Sequence, residues 1–234
     1  MRDIVQKYKI DGLRIDTVPE VPAWFWSQFS QAAGVYTVGE VFDGDMGYLT
    51  KYLGSLDAVL NYPLFFRFRD IIFNTKDMYE FRNYYIDWAQ HVDANKLNYL
   101  ANFGDNHDNA RVLSWSGNWE EKKIHLKVLN AFVMTSVGIP IVYYGTEQYF
   151  AGGNDPNNRE VLWRNMDTSS EMYKFLATIN AARKKAQVWS QPQVERYADH
   201  DIFAYSRGKF LVLLTNRASG SVSKFISYHP FTSG

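Results

Sequence analysis

Cysteine is absent from the 234 residues, so disulfides and thiolate-held metals are excluded. An excess of either charge is also missing: Lys+Arg and Asp+Glu are both 25, for a formal net charge of zero. Nucleic acids and anionic membranes are bound through a basic surplus, so neither is expected as a partner. No apolar run comes near the roughly 20 residues that cross a bilayer. Residues 1–12 carry no continuous apolar segment of the signal-peptide kind, so no cellular address is expected from this stretch. Neither a GxGxxG behind a strand nor a GxxxxGK[ST] occurs, which sets aside a nucleotide-binding αβ protein. The histidines lack an HExxH or similar spacing, so a catalytic transition metal is not expected; no organic cofactor is expected either.

What is present is the composition of a folded globular chain, 46% hydrophobic and 17% aromatic, without internal repeats or low-complexity segments. The aromatic residues have two uses that composition leaves open. They can fill a core, or they can offer flat faces on which sugar rings stack. A neutral, bulky substrate is compatible with both.

Apolar periodicity organises the chain. Ile4, Val5 and Tyr8 fit the end of an amphipathic helix, and Leu13 and Ile15 then alternate with Arg14 and Asp16 as a strand. Helical spacing over residues 21–32 closes at Gly34. Further strands are predicted at 35–38, 56–60, 99–103 and 139–144, and further helices at 64–74, 77–94, 119–136 and 169–187. Strands alternating with helices imply a parallel sheet with helical crossovers. From about residue 192 the texture changes to short strands around Gly208, the start of an antiparallel β-domain. The expected division is residues 1–190 and 191–234. Five βα units suit either an open doubly wound sheet or part of an eight-stranded barrel.

The polar residues decide between them. Asp16, Glu40 and the Asn106-His107-Asp108 cluster all stand at C-terminal ends of predicted strands, the ends that converge on one face of a βα barrel. A single Asp after a strand is most simply a helix cap; three carboxylates with a His and an Arg are poorly explained that way. Two carboxylates flanking an acetal can cleave it, one ionised to attack and one protonated to donate to the leaving oxygen. Arg14 lies two residues before Asp16 on the same strand face, and its charge favours the ionised form there. Glu40, beside other carboxylates, is expected to be pushed towards protonation. A buried Arg–Asp pair that merely holds the sheet together is the structural alternative. His107 is read either as a structural group or as a donor to sugar hydroxyls.

The stretches at 11–18 (DGLRIDTV), 39–45 (GEVFDGD) and 103–109 (FGDNHDN) resemble three signature regions of the α-amylase family of glycoside hydrolases. Those at 60–63 (LNYP) and 149–160 resemble its fungal-type members, and the likeness runs in order from Ile4 to about Arg183. The resemblance implies a (β/α)8 TIM barrel of which this chain holds strands 4–8, followed by a truncated antiparallel β-domain. It implies Asp16 as nucleophile, Glu40 as proton donor and Asp108 as the carboxylate that grips sugar hydroxyls. Arg14 would position Asp16, while His107, Phe42, Asp155 and Arg159 would bind sugar. The substrate implied is an α-glucan such as starch, glycogen or maltodextrin, and the setting implied is extracellular.

Two departures stand out. The family usually has Lys-His after the first signature, where this chain has Pro19-Glu20; the Glu20 carbonyl could still join a structural Ca2+. The family's first three barrel strands and most of its calcium ligands would precede residue 1. A barrel interrupted there leaves open edges, so self-association through them is expected. Retaining endo-hydrolysis of α-1,4 bonds is the leading expectation; glucan transglycosylation and a noncatalytic glucan-binding remnant are the alternatives.

Overall fold

The computed structural model describes residues 1–73 and 76–227. Five short parallel strands appear in chain order: β1 (Gly12–Ile15), β2 (Tyr36–Gly39), β3 (Ala58–Val59), β4 (Ala101–Phe103) and β5 (Ile139–Ile141). Gly12 pairs with Tyr36 and Ile15 with Gly39 across β1 and β2, and Val38 and Gly39 meet Ala58 and Val59 of β3. Ala101 to Phe103 pair in step with Ile139 to Ile141. A single parallel bridge between Leu60 and Ala101 joins the two sets, so spatial order follows chain order. Consecutive parallel strands with helical crossovers make this an arc of a βα barrel. Among the described residues β1 and β5 each keep one edge without a partner strand.

The helices are α1 (Arg2–Tyr8), α2 (Ala23–Ala33), α3 (Met46–Leu53), α4 (Tyr62–Phe68), α5 (Glu80–Ala89), α6 (Ala94–Leu97), α7 (Trp119–Thr135) and α8 (Glu171–Ala186). Short polar side chains start several of them. Asp45, Asn61 and Asn118 accept from Tyr48 N, Leu64 N and Glu120 N at 2.8, 3.3 and 2.9 Å, satisfying donors that no helical carbonyl reaches. The helix predicted over 77–94 is broken at residues 90–93, because the Asp93 carboxylate takes Asn95 N at 2.7 Å and starts α6 anew. The helix predicted over 64–74 begins two residues earlier and continues as a π turn, Arg69–Phe73; its final position lies outside the described residues. The strand predicted over 56–60 shortens to two residues, since Asn61 caps α4 immediately after it.

Alternation along the strands separates two apolar clusters. Ile15, Val59 and Leu100 join the helix-side core with Phe68, Phe81 and Phe132, whereas Leu60, Ala101 and Phe103 form a second cluster with Tyr62 and Phe65. The antiparallel sheet, β6 (Gln193–Ala198), β7 (Ile202–Arg207) and β8 (Phe210–Thr215), is folded onto the first cluster. Phe203, Tyr205, Val212 and Leu214 share one core with Phe81 and Phe132, whose rings stack at 4.5 Å. Tyr205 OH meets Thr135 Oγ1 at 2.6 Å at the end of α7. Residues 228–234 of the expected second domain lie outside the described residues.

Phe132 is fully buried where α4, α5, α7 and β7 meet. Phe132→Ala is expected to cost about 3–5 kcal/mol in urea unfolding, with both sheets lost in one transition. A loss below about 1 kcal/mol, or two separate transitions, would contradict a shared core.

Candidate active site

The site begins where β1 and β2 stop. Asp16 follows Ile15 and Glu40 follows Gly39, whose residues are paired in register, so the two carboxylates emerge side by side. Gly39 lets Leu56 and Val18 pack against the end of β2, because a Cβ there would stand 2.4 Å from Leu56 Cδ1 and 2.7 Å from Val18 Cγ2. Thr17 adopts a left-handed backbone (φ 43°) immediately after Asp16, and its N–H donates to Glu40 Oε2 at 3.3 Å. A β-branched residue in that conformation is strained, and such strain gathers at functional turns.

Arg14 joins the two acids. Its Nη1 contacts Asp16 Oδ1 closely, and its Nη2 lies 3.3 Å from Glu40 Oε1. The environments nevertheless push the two groups apart. The Asp16 side chain is 66% exposed, and hydrogen bonding from Arg14, then its charge, holds its carboxyl below the usual range. Glu40 is only 8% exposed, and its pKa is raised. Burial is the largest cause and the neighbouring Asp16 a smaller one, which corrects the expectation that adjacent carboxylates dominate.

The second wall follows β4. Asn106 Oδ1 accepts from Asp108 N at 3.1 Å and Asn109 N at 2.9 Å, shaping the turn that presents His107 and Asp108. His107 Nε2 lies 3.3 Å from Asp108 Oδ2. The two walls communicate through Tyr62, at the start of α4. Asn106 Nδ2 donates to Tyr62 OH at 2.9 Å, and Tyr62 OH donates to Glu40 Oε1 at 3.4 Å. Tyr62 is fully buried and its hydroxyl feels the charges of both Glu40 and Asp108. Arg14, Asn106 and His107 line a cavity of about 160 Å³ with Leu60, Phe103 and Tyr143.

The third contribution comes from the loop after β5. Arg159 Nε lies 2.8 Å from Asp155 Oδ1, and Arg159 Nη2 stands 3.8 Å from Asp108 Oδ1. Buried Asn158 donates from Nδ2 to both His107 O and Asn109 O at 2.9 Å. Phe42 is exposed and sits edge-on to Tyr62 at 4.7 Å, at the mouth of the site. The structure therefore brings Arg14, Asp16, Glu40, Phe42, His107, Asp108, Asp155 and Arg159 into one connected group.

Glu20 is not part of it. It ends the 3-10 turn Val18–Glu20 and is exposed. Among the described residues no group of three or more His, Asp or Glu side chains is placed to hold a metal. One carbonyl does not meet the six to eight oxygens that Ca2+ takes, so these residues do not form a calcium site by themselves. Tyr62, Asn106 and Asn158 are the site groups to which sequence reasoning gives no separate role. The LNYP stretch that contains Tyr62 is visible in the sequence; its contact with Glu40 is not.

Parallel βα units with acidic residues gathered at the C-terminal strand ends define a partial TIM barrel, followed here by an antiparallel sheet. Residues 1–210 match the family model described as alpha amylase, catalytic domain, and the chain belongs to the α-amylase family. An alpha-amylase of Saccharomycopsis fibuligera is 37% identical over all of this chain and 48% of its own length. Alpha-amylase 2 of Schwanniomyces occidentalis is 34% identical over 99% of the chain and 46% of its own. The solved alpha-amylase of Malbranchea cinnamomea superposes with a TM-score of 0.83 at 34% identity, covering 92% of this chain and 46% of that one. The chain thus spans about half the length of these relatives.

Asp105 is buried in the wall of the same cavity, with Oδ1 accepting from Val112 N at 2.8 Å. Burial pushes its pKa up to about 6. A raised acid stabilises the fold fully below its unfolded pKa and loses that contribution as pH climbs through the folded one. Urea unfolding of the wild type is therefore expected to lose about 2 kcal/mol between pH 4 and pH 7 relative to Asp105→Asn. Parallel pH profiles for the two proteins would rule this out.

Proposed function

We propose that the chain carries the reacting carboxylates of a retaining α-glucan hydrolase, acting endo on α-1,4 bonds of starch, glycogen or maltodextrins. In this reading the five parallel strands are strands 4–8 of a (β/α)8 barrel, residues 1–190 its barrel portion and 191–234 the start of the C-terminal domain. By likeness to the family it acts outside the cell. The observation that carries the reading is a pair of acids at adjacent strand ends on one guanidinium, Asp16 exposed and Glu40 buried, an arrangement that lowers the first and raises the second.

The chemistry follows from that division. Ionised Asp16 attacks the anomeric carbon while the glycosidic C–O bond breaks and Glu40 gives its proton to the leaving oxygen. Water then adds to the anomeric carbon, loses a proton to Glu40 and releases Asp16. Both acids reach the same guanidinium, Asp16 Oδ1 on Nη1 and Glu40 Oε1 3.3 Å from Nη2, and so short a spacing suits a retaining pair. Arg14 keeps Asp16 ionised, and Tyr62 orients Glu40. Asp108 and His107 offer an acceptor and a donor to sugar hydroxyls, with Asp155 and Arg159 holding units farther along the non-reducing side and Phe42 giving an apolar face.

A chromogenic maltooligosaccharide assay tests this. Glu40→Gln, which cannot release a proton, is expected to lower turnover by at least about a hundredfold. Equal signal from both proteins would overturn the assignment, as a noncatalytic glucan binder would give. Reducing ends should accumulate; a constant number with redistributed chain lengths would instead indicate transglycosylation.

A further inference from the structure

Arg111 has no place in the chemistry above, yet it is fully buried beside it. We propose that Arg111 is a positioning residue that locks the segment carrying His107 and Asp108 to the loop carrying Asp155 and Arg159, and so fixes the spacing of the sugar-binding groups. The inference rests on the reading of those four residues as sugar contacts.

Its side-chain Nε donates to Glu160 Oε2 at 2.6 Å and to Asn158 O at 3.1 Å. Its backbone N–H donates to Gly152 O at 3.0 Å, while Gly152 N donates to the other oxygen of Glu160 at 2.6 Å. One residue thereby grips the 152–160 loop near its start and at its end. The loop closes tightly between those points, since a Cβ on Gly152 would lie 1.7 Å from Asn157 O. Asn158, held by Arg111 through its carbonyl, clamps His107 O and Asn109 O with its amide. Arg159 Nε adds a bond to His107 O at 3.3 Å.

The remaining guanidinium surface faces rings. Nη1 and Nη2 have no hydrogen-bond partner among the described residues, and the guanidinium carbon lies 4.3 Å from the Tyr143 ring centroid, 5.2 Å from Tyr144 and 5.3 Å from Phe150. A planar cation suits this slot, bonding at its edge and stacking on its faces, whereas a lysine ammonium would need acceptors that the rings do not offer. Buried ion pairs are weak sources of stability, and their better-attested use is to fix one arrangement among several. Asp105 and Glu160 are the acids whose charges meet that of Arg111 here, one from each segment it joins.

The test uses the full chain with Arg111→Met and Arg111→Lys, followed by amide hydrogen exchange and by kinetics on maltotriose and maltoheptaose. Both variants are expected to speed exchange about tenfold in residues 103–112 and 150–161 together, as for loss of a charge-assisted bond, with β7 unchanged. KM for maltoheptaose should rise about tenfold and more than that for maltotriose, with kcat held within about twofold, the pattern of lost substrate binding. Should the methionine variant fail to fold, the lysine variant carries the comparison. Loosening of one segment alone, of neither, or a fall in kcat without change in KM overturns the lock. A wild type without turnover on either sugar overturns the hydrolase reading instead, and the exchange rates then decide the lock by themselves.

Discussion

The site depends on Arg14 standing between two acids of unequal exposure. A fixed cation lowers every carboxyl near it, so charge alone would ionise both. Burial opposes this far more at Glu40 than at exposed Asp16, and Asp16 also takes the closer contact with the guanidinium, so solvent and distance pull the two groups the same way apart. The strands supply that asymmetry. In-register pairing of Ile15 with Gly39 sends Asp16 outward, while Thr17 turns back over Glu40 and Tyr62 covers it from below.

Acidic residues that terminate apolar, alternating segments are visible in one dimension, which is why Asp16, Glu40 and Asp108 stand out in the sequence alone. The five parallel strands are legible for the same reason, and so is Gly34 at the end of α2. Elements with weak pattern are not. β6 presents mostly half-buried side chains of mixed polarity, and α3 is eight residues long and owes its start to the Asp45 cap. Tyr62, Asn158 and Arg111 are a different case. Their partners lie 22 to 51 positions away in the chain, so their roles exist only once the fold has brought those segments together.

The core shows the same contrast. Its aromatic residues serve packing more than recognition: Phe68, Phe81, Phe132 and Phe203 touch one another, and the antiparallel sheet extends that cluster. Composition leaves packing and sugar stacking equally open. Only burial separates Phe132 from Phe42, which stands exposed at the mouth of the site.

The lone bridge between Leu60 and Ala101 makes a seam in the sheet. On one side of it ride the two tuned acids, on the other the turn that presents His107 and Asp108. Main-chain pairing between these halves is confined to Leu60, Asn61 and Ala101. Asn61 adds a side-chain bond to its main-chain one, with its N–H on Ala101 O at 2.9 Å and its amide on Asn102 Oδ1 at 2.7 Å. The way the two halves meet accordingly rests in part on a pair of buried amides, so Asn61 and Asn102 belong to the joint between the acids and the turn rather than to either one.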